Sequence, residues 1–207
     1  MAQYKIDLMK RIVKEQLDQT RYEHTMGVMY TAASMAMCHG ADLEKSIVAG
    51  LLHDCAKCIP SKEKIQMCDE NEIRISEAES KNPGLLHAKL GAFLARTEYD
   101  VADTEILNAI TYHTTGRPEM TLLDKIVYIA DYIEPNRKEA PHLDKIRKLA
   151  FEDIDACLYA ILEDSLAYLQ TKNEVIDPMT EQTYLYYKMH GRSNAHETIK
   201  VNGKTSL

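Results

Sequence analysis

The stretch Gly-Leu-Leu-His-Asp-Cys-Ala-Lys at residues 50–57 gives the strongest indication of how this chain is built. It continues a run of apolar and small residues that begins at Ile47, a pattern typical of a helix buried on nearly every side. His53 and Asp54 therefore stand side by side at the end of a core element. Because a buried carboxylate is costly unless it is paired, hydrogen-bonded or bound to a metal, this adjacent pair indicates a shared cation.

The composition favours one acidic domain with a sizeable core. Of the 207 residues, 45% are hydrophobic, and we expect a single domain over residues 1–190 with a polar, flexible tail over 191–207. A net charge of −7 argues against a general nucleic-acid binder and against binding to an anionic membrane. It leaves room for a small phosphorylated substrate, because local cations or a metal can invert the field inside a cleft.

The cysteine count and the N-terminal sequence favour a cytoplasmic protein without a membrane span. Five cysteines are an odd number and no secretory signal precedes them, so free thiols are expected. No apolar run approaches the roughly 18 residues of a spanning helix. Cys55 and Cys58 form a Cys-x-x-Cys, which could serve redox or zinc chemistry, but without a second cysteine pair incidental core cysteines are favoured.

Apolar residues recur at three- and four-residue spacings along nearly the whole chain, which predicts an all-α fold. Helices are expected over residues 4–17, 21–38, 43–54, 62–70, 84–98, 103–113, 121–134, 142–150, 153–171 and 180–190. Gly40 and Asp42 are expected to cap the helices beside them, and Ser61 is expected to cap a third. The polar stretch 71–83, which ends in Asn-Pro-Gly, is expected to form an exposed loop.

Imidazole and carboxylate side chains recur on separate predicted helices. They are His24, the adjacent pair His53 and Asp54, His87, His113 and Asp131. Each is weak evidence when taken singly, but together they offer ligands from all around a bundle, which is how helix bundles build metal sites. A mixed imidazole and carboxylate set suits iron, manganese, zinc, cobalt or nickel, and the sequence does not choose among them.

The order and spacing of these six residues resemble the HD-domain metal-dependent phosphohydrolases. Four flanking segments narrow the resemblance: Gly-Leu-Leu-His-Asp-Cys-Ala-Lys from Gly50, His-Ala-x-Leu-Gly-Ala from His87, Tyr-His-Thr-Thr-Gly-Arg-Pro from Tyr112, and Ile-Ala-Asp-Tyr-Ile-Glu-Pro-Asn-Arg from Ile129. These segments are similar to those of the YqeK-type symmetrical diadenosine tetraphosphate hydrolases. The resemblance covers roughly residues 3–185.

The resemblance implies an HD-domain helical bundle and an enzyme of the symmetrical bis(5'-nucleosyl)-tetraphosphatase class. Such a hydrolase cleaves diadenosine tetraphosphate, and related dinucleoside polyphosphates, into two ADP by attack of metal-activated water between the central phosphates. Carried over by position, the implied metal ligands are His24, His53, Asp54 and Asp131. Iron is the typical metal, other divalent transition metals are alternatives, and one or two ions are implied per site. His87 and His113 are implied to reach the substrate phosphates or to bind a second metal.

Positive and polar groups suited to phosphates flank these ligands. Lys57 lies three residues after Asp54 on the same side of the predicted helix, so its charge can contact a phosphate oxygen. We assign Asp54 and Lys57 to catalysis. Arg137 can bind a phosphate bidentately, although without the motif it and Lys57 could equally be solvated charges. The resulting substrate-binding set is Cys55, Ala56, Lys57, His87, His113, Thr114, Arg137, Asn173, Glu174, Val175, Ile176, Asp177 and Pro178, of which the resemblance supplies the segment from Asn173 as the adenine contact.

Other functions fit parts of the same pattern. An HD phosphohydrolase for guanosine tetraphosphate or deoxynucleoside triphosphates would release pyrophosphate or tripolyphosphate instead of two ADP. A non-catalytic nucleotide sensor would be expected to lack at least one of His24, Asp54 or Asp131, and a structural metal has no use for two extra histidines. Ten methionines and tyrosines such as Tyr187 are compatible with a homodimer surface and equally with core.

Overall fold

The computed structural model describes residues 4–172 and 175–201, with side chains described as far as residue 190. Over these residues the chain is helical and contains no strand, which confirms the all-α prediction. The helices are α1 (Ile6–Gln16), α2 (Gln19–His39), α3 (Leu43–Leu52), α4 (Ser61–Glu70), α5 (Glu77–Lys81), a 3-10 helix (Pro83–Leu86), α6 (His87–Thr97), α7 (Thr104–Thr111), α8 (Leu122–Ile133), α9 (Leu143–Glu152), α10 (Ile154–Thr171) and α11 (Pro178–Val201). None of the described helices combines the length and hydropathy needed to cross a bilayer.

Two apolar cores meet along helices α2 and α8, which are buried on two faces. The first core, built mainly with α1, α3, α6 and α7, takes Met29 from α2 and Val127 from α8. The second core, built mainly with α9, α10 and α11, takes Met35 from α2 and Ile129 from α8. Successive helical residues point about 100° apart, so each of these helices presents apolar side chains to both cores. Polar residues between those two faces lie at the junction of the cores.

Two predicted caps are confirmed. Gly40 ends α2 with a left-handed backbone (φ 73°), a conformation that glycine adopts without steric cost. The side chain of Asp42 accepts a hydrogen bond from the backbone N–H of Lys45 and so begins α3. Helix α3 starts where the sequence predicts but ends at Leu52, two residues before the predicted end, so Asp54 and Lys57 lie in the turn after the helix instead of on it.

Two predictions about helix starts were wrong. Helix α2 begins at Gln19 instead of residue 21, because the side chain of Asp18 accepts a hydrogen bond at its N-terminus. Ser61 is not a cap: it is the first residue of α4, and Pro60 occupies the cap position without a side-chain hydrogen bond. Proline has no side-chain oxygen, so α4 begins without the side-chain cap that Ser61 was expected to supply.

The polar stretch 71–83 also differs from the prediction, because it contains helix α5. Ser76 and Glu79 form a capping box, in which each side chain accepts a hydrogen bond from the backbone N–H of the other residue. Glu79 is buried and pairs with Lys89 of α6 at 2.7 Å. The ion pair fastens this segment against α6, and the sequence pattern alone gave no indication of that tertiary contact.

The last helix extends further than the pattern predicts. Helix α11 runs from Pro178 to Val201, so the boundary expected at residue 190 falls inside a helix. Tyr187 lies in the second core, where its hydroxyl accepts a hydrogen bond from the N–H of Met120 at 2.9 Å. Tyr187 is therefore a core residue and not part of an exposed dimer surface. The division into a domain over residues 1–190 and a tail over 191–207 stays a prediction.

Candidate metal centre

The six side chains singled out from the sequence converge at the junction of the two cores. They come from α2 (His24), the C-cap of α3 and the turn after it (His53 and Asp54), the first residue of α6 (His87), the turn after α7 (His113) and α8 (Asp131). Donor atoms of His24, His53 and Asp131 lie within 4.8 Å of one another. A second overlapping group with the same spacing consists of His53, Asp54 and His113. Such spacings allow shared coordination of a cation.

Three of the four clustered histidines are fixed by a backbone carbonyl three residues earlier. The bonds join Nδ1 of His53 to Gly50 at 2.8 Å, Nδ1 of His87 to Gly84 at 2.6 Å, and Nδ1 of His113 to Ile110 at 2.7 Å. Because a carbonyl oxygen can only accept, these bonds assign the ring proton to Nδ1. Nε2 of each ring is then the unprotonated nitrogen, which is the form that binds a metal.

Several hydrogen-bond acceptors face one another in this cluster. Nε2 of His24 lies 3.1 Å from Oδ1 of Asp131, and Nε2 of His87 lies 3.1 Å from Oδ1 of Asp54. Among the described residues, Nε2 of His24, Nε2 of His53 and Oδ1 of Asp54 are buried without a hydrogen-bond partner. Buried polar atoms are rarely left unpaired, and facing acceptors repel one another unless a positive charge lies between them. The donor set therefore fits a divalent metal.

The protonation states of these groups also suit a cation. Burial lowers the pKa of His53 to about 4, and burial likewise lowers the pKa of His87. Burial would raise the pKa of Asp54, but the imidazoles of His53, His113 and His87 outweigh that effect and hold the pKa well below its usual range. At neutral pH the rings of His53 and His87 are thus neutral and Asp54 is ionised, which are the states that bind metals. Burial would also lower the pKa of His24, but the carboxylates of Asp131 and Glu134 outweigh burial and raise that pKa.

Lys57 and Arg137 lie at the solvent-facing edge of the cluster. The side chain of Arg137 is 38% exposed, and its Nη2 donates to Oδ1 of Asp131 at 3.0 Å. The side chain of Lys57 is 35% exposed, and its Nζ lies 3.2 Å from Nε2 of His87 and 3.9 Å from Oδ1 of Asp54. Both cations are therefore close enough to the ligands to meet an anion that approaches the cluster.

Sequence reasoning missed Arg21. Its Nη1 donates to Oδ2 of Asp54 at 2.8 Å, and its side chain is 33% exposed. The available signal was its position three residues before His24, which places both side chains on the same face of α2. Arg21 adds another positive group beside Lys57 and Arg137, so the opening of the cluster is cationic although the chain is acidic.

Two cavities share Thr114 in their walls, and the first of them is also lined by the cluster residues His113 and Asp131. The first, of about 200 Å³, is lined by His113, Thr114, Tyr128, Asp131, Tyr132, Arg137, Ile161 and Ser165. The second, of about 260 Å³, is lined by Ser76, Glu79, Leu85, Ala88, Lys89, Thr111, Tyr112, Thr114, Thr115, Asp177, Pro178, Met179 and Gln182. Asp177 and Pro178, two of the residues expected to contact substrate, therefore lie beside one of these cavities.

The remaining expected substrate contacts have less favourable positions. The side chains of Cys55 and Ala56 are buried, and the Cys55 thiol donates to the carbonyl of Gly91 at 3.6 Å. Burial raises the pKa of that thiol to about 12, so it is uncharged at neutral pH. Val175 is exposed and Ile176 half-buried in the segment before α11, whereas residues 173–174 (Asn173 and Glu174) lie outside the described residues.

The Tyr-His-Thr-Thr-Gly-Arg-Pro segment owes part of its pattern to structure. Nε and Nη2 of Arg117 donate to Oδ2 of buried Asp124 at 2.9 and 2.6 Å, which ties the turn after α7 to the start of α8. Gly116 has a positive φ of 64°, and a Cβ there would collide with Thr183 of α11. The segment thus holds His113 and Thr114 in place, and Arg117 stabilises the segment through its ion pair with Asp124.

Glu134 is a further residue that sequence reasoning did not single out. Its side chain is 2% exposed, and its Oε1 lies 3.2 Å from Nδ1 of His24. The available signal was its spacing of three residues after Asp131, near the end of the same helix. His24 is therefore held by a carboxylate where the other three histidines are held by backbone carbonyls.

Comparison with known proteins places this cluster in a family context. The HD domain family model matches residues 21–136, a range that contains all six clustered side chains. A Bacillus subtilis protein named "Bis(5'-nucleosyl)-tetraphosphatase, symmetrical" is 45% identical over 172 residues, which cover 83% of this chain and 91% of the relative. A Staphylococcus aureus protein of the same name is 35% identical, and the match covers 88% of this chain and 94% of the relative.

A solved structure supports the same relationship. It is the crystal structure of a predicted HD superfamily hydrolase involved in NAD metabolism from Clostridium acetobutylicum. The two folds agree with a TM-score of 0.86 at 35% sequence identity, and the match covers 91% of this chain and 100% of the other. The agreement extends over nearly all of the helical bundle that brings the six side chains together.

Proposed function

We propose that this chain, which belongs to the HD domain family, is a metal-dependent hydrolase that cleaves diadenosine tetraphosphate symmetrically into two ADP. The family assignment follows from the match to residues 21–136, more than half of the chain, and from the close relatives that cover most of it. The activity is that for which those relatives are named. The observation that supports it most is the convergence of facing, unpaired acceptors beside a cationic opening.

The proposed metal ligands are His24, His53, Asp54 and Asp131, with His87 and His113 available for a second ion or for phosphate oxygens. When bound, the metal lowers the pKa of a coordinated water and neutralises charge on the phosphoryl group. Asp54 is central to this arrangement, because its two oxygens face different sides: Oδ1 faces His87 and Oδ2 lies near His24 and His53. We propose iron as the metal, and the mixed donor set is compatible with it.

The substrate is a chain of four phosphates, and the exposed cations of the site are placed to bind it. Arg137 presents a planar guanidinium that can bind two oxygens of one phosphate, whereas Lys57 acts as a point charge. Arg21 lies on the other side of Asp54 and can share the negative charge. Thr114, which lines both cavities, can donate its hydroxyl to phosphate, and the second cavity leads to Asp177 and Pro178 for the adenosine.

We also propose a cellular compartment and an oligomeric state for the protein. Five free cysteines, three of them buried, fit a reducing compartment, and we propose that the protein is cytoplasmic. A homodimer is compatible with the exposed apolar residues Tyr30, Met37 and Met189 on the surface.

Product identification tests the proposed reaction directly. The full chain, purified without added metal, is analysed for its metal content and then incubated with diadenosine tetraphosphate. Two ADP as the product together with a bound transition metal supports the proposal. AMP plus ATP would contradict the symmetrical cut, and turnover of guanosine tetraphosphate or deoxynucleoside triphosphates alone would favour another HD phosphohydrolase. A nucleotide that binds without turnover in the metal-loaded protein would indicate a sensor.

A further inference from the structure

The four clustered histidines are not held in the same way. Nδ1 of His53, His87 and His113 donates to a backbone carbonyl, whereas Nδ1 of His24 lies 3.2 Å from the carboxylate oxygen Oε1 of Glu134. A carboxylate is a stronger acceptor than a carbonyl and makes the opposite ring nitrogen more basic. Among these rings, His24 is therefore the one whose donor strength depends on another side chain.

The carboxylate of Glu134 is locked in place by its surroundings. Its second oxygen, Oε2, accepts the backbone N–H of Asn136 at 2.7 Å, so both oxygens are engaged. Helix α8 ends at Ile133 because Pro135 follows Glu134, and the residue before a proline avoids the helical conformation. Arg147 of α9 donates to the carbonyls of Ile133, Glu134 and Arg137 at 2.8 to 3.0 Å. The carboxylate thus meets His24 in a fixed position.

Gly27 supplies the space that this carboxylate occupies. It lies in the interior of α2, where glycine destabilises a helix relative to alanine, so its presence needs a reason. It stands three residues after His24 on the same face, and a Cβ there would collide with Oε2 of Glu134. A methyl group at position 27 would push the carboxylate away from both Asn136 and His24.

We propose that Glu134 is a positioning residue for metal binding, which fixes the orientation and the Nδ1–H tautomer of His24, and that Gly27 is required to admit its carboxylate. This inference rests on the proposed function, because it takes His24 as a metal ligand. It assigns Glu134 no contact with the metal or the substrate. Its effect passes through His24 alone, which separates it from the ligands themselves.

Metal affinity of the full chain tests the proposal. The protein is stripped of metal and titrated with Mn²⁺, for wild type, Glu134→Gln, Glu134→Ala, Gly27→Ala and His24→Ala. The exposed neighbour Glu23→Gln serves as the matched control for loss of a charge. We expect Glu134→Gln to weaken Mn²⁺ binding about 10- to 100-fold, Glu134→Ala at least as much, and the control to leave it unchanged.

Gly27 offers a sharper test because alanine is the better helix former. Gly27→Ala is expected to weaken Mn²⁺ binding without lowering the unfolding temperature of the metal-free protein, a combination that a merely structural role would not give. The double variant Gly27→Ala/Glu134→Ala is expected to bind no more weakly than Glu134→Ala, because the two residues act through one contact. Additive losses would overturn the role assigned to Gly27.

The ¹⁵N NMR shifts of His24 give a readout independent of activity and of metal. In the metal-free wild type Nδ1 faces Glu134 and Nε2 faces Asp131, so we expect Nδ1 to be protonated, and in Glu134→Ala we expect the Nδ1 proton to be lost, which leaves the Nε2–H form. If both Glu134 variants bind Mn²⁺ like wild type while His24→Ala does not, the positioning role is wrong and the proposed ligand set stands. If His24→Ala itself binds normally, His24 is no ligand, and both the inference and that part of the proposed function fail.

Discussion

The floor and the rim of the candidate site differ in how the protein controls them. The floor, formed by His53, Asp54, His87 and His113, has side chains that are at most 3% exposed, and its rings are fixed by backbone carbonyls. The rim, formed by the cations Arg21, Lys57 and Arg137, is 33 to 38% exposed. Burial fixes the protonation state and direction of the floor groups, whereas the rim groups can exchange their present partners for a substrate.

This difference predicts separate consequences for substitutions in the two regions. A change in the floor should remove the metal and with it the activity, because no mobile group can replace a buried ligand. A change in the rim should leave the metal in place and weaken the substrate contact. Metal content and KM, measured separately, therefore distinguish a floor residue from a rim residue.

The largest effect is expected at Asp54 of the floor. Asp54→Ala should abolish metal binding and lower activity more than about 100-fold, since changes to groups that merely support a ligand already cost 10- to 100-fold. Elemental analysis and product formation measure both effects, and circular dichroism checks that the helices persist. Asp69→Ala, on the exposed face of α4, is the matched control. A metal-loaded, active Asp54→Ala protein would contradict the assignment of Asp54 as a metal ligand.

The next effect is expected at Arg137 of the rim. Arg137→Ala should raise KM for diadenosine tetraphosphate by roughly tenfold or more, because a hydrogen bond to a charged group is worth ~1.5–3 kcal/mol. Metal content should stay at the wild-type level. Lys138→Ala changes an exposed neighbour and should leave KM unchanged. Loss of metal with an unaltered KM would place Arg137 in the floor instead of the rim.

A smaller effect is expected at Lys57, which lies at the border of the two regions. Lys57→Ala should raise KM about fivefold, as expected for a partly exposed ion pair worth up to ~1 kcal/mol. Its Nζ lies near His87 and Asp54, so metal content also has to be measured. Lys62→Ala, on an exposed position of α4, is the control. An unchanged KM would restrict the rim to Arg21 and Arg137.

The smallest effect on catalysis is expected outside the site, at Tyr187. Tyr187→Phe removes the acceptor for the buried N–H of Met120 and should destabilise the fold by ~1–3 kcal/mol. For a chain of this length each kcal/mol lowers the unfolding temperature by about 2–4 °C. Thermal unfolding measures the loss, and KM and metal content should not change. A changed KM would show that the second core communicates with the rim.

Individual residues show how far sequence reasoning reaches. The apolar run before His53 predicts a buried helix, and the structure confirms both the helix and the cap at Asp42. Helix α5 was missed because its stability depends on the contact between Glu79 and Lys89, not on an apolar pattern. Arg21 and Glu134 were missed because each acts on a residue far away in the chain, Asp54 and His24 respectively.

The spacing of apolar residues is a local property, so the chain alone predicts the helical class, and the cost of burying polar groups singles out six side chains that the fold brings into one cluster. The packing of the helices settles which acceptors face one another, which three histidines donate from Nδ1 to backbone carbonyls, and which carboxylate lies beside Nδ1 of His24. These features depend on distances between helices, and a distance across two packed cores is not encoded in the order of neighbouring residues.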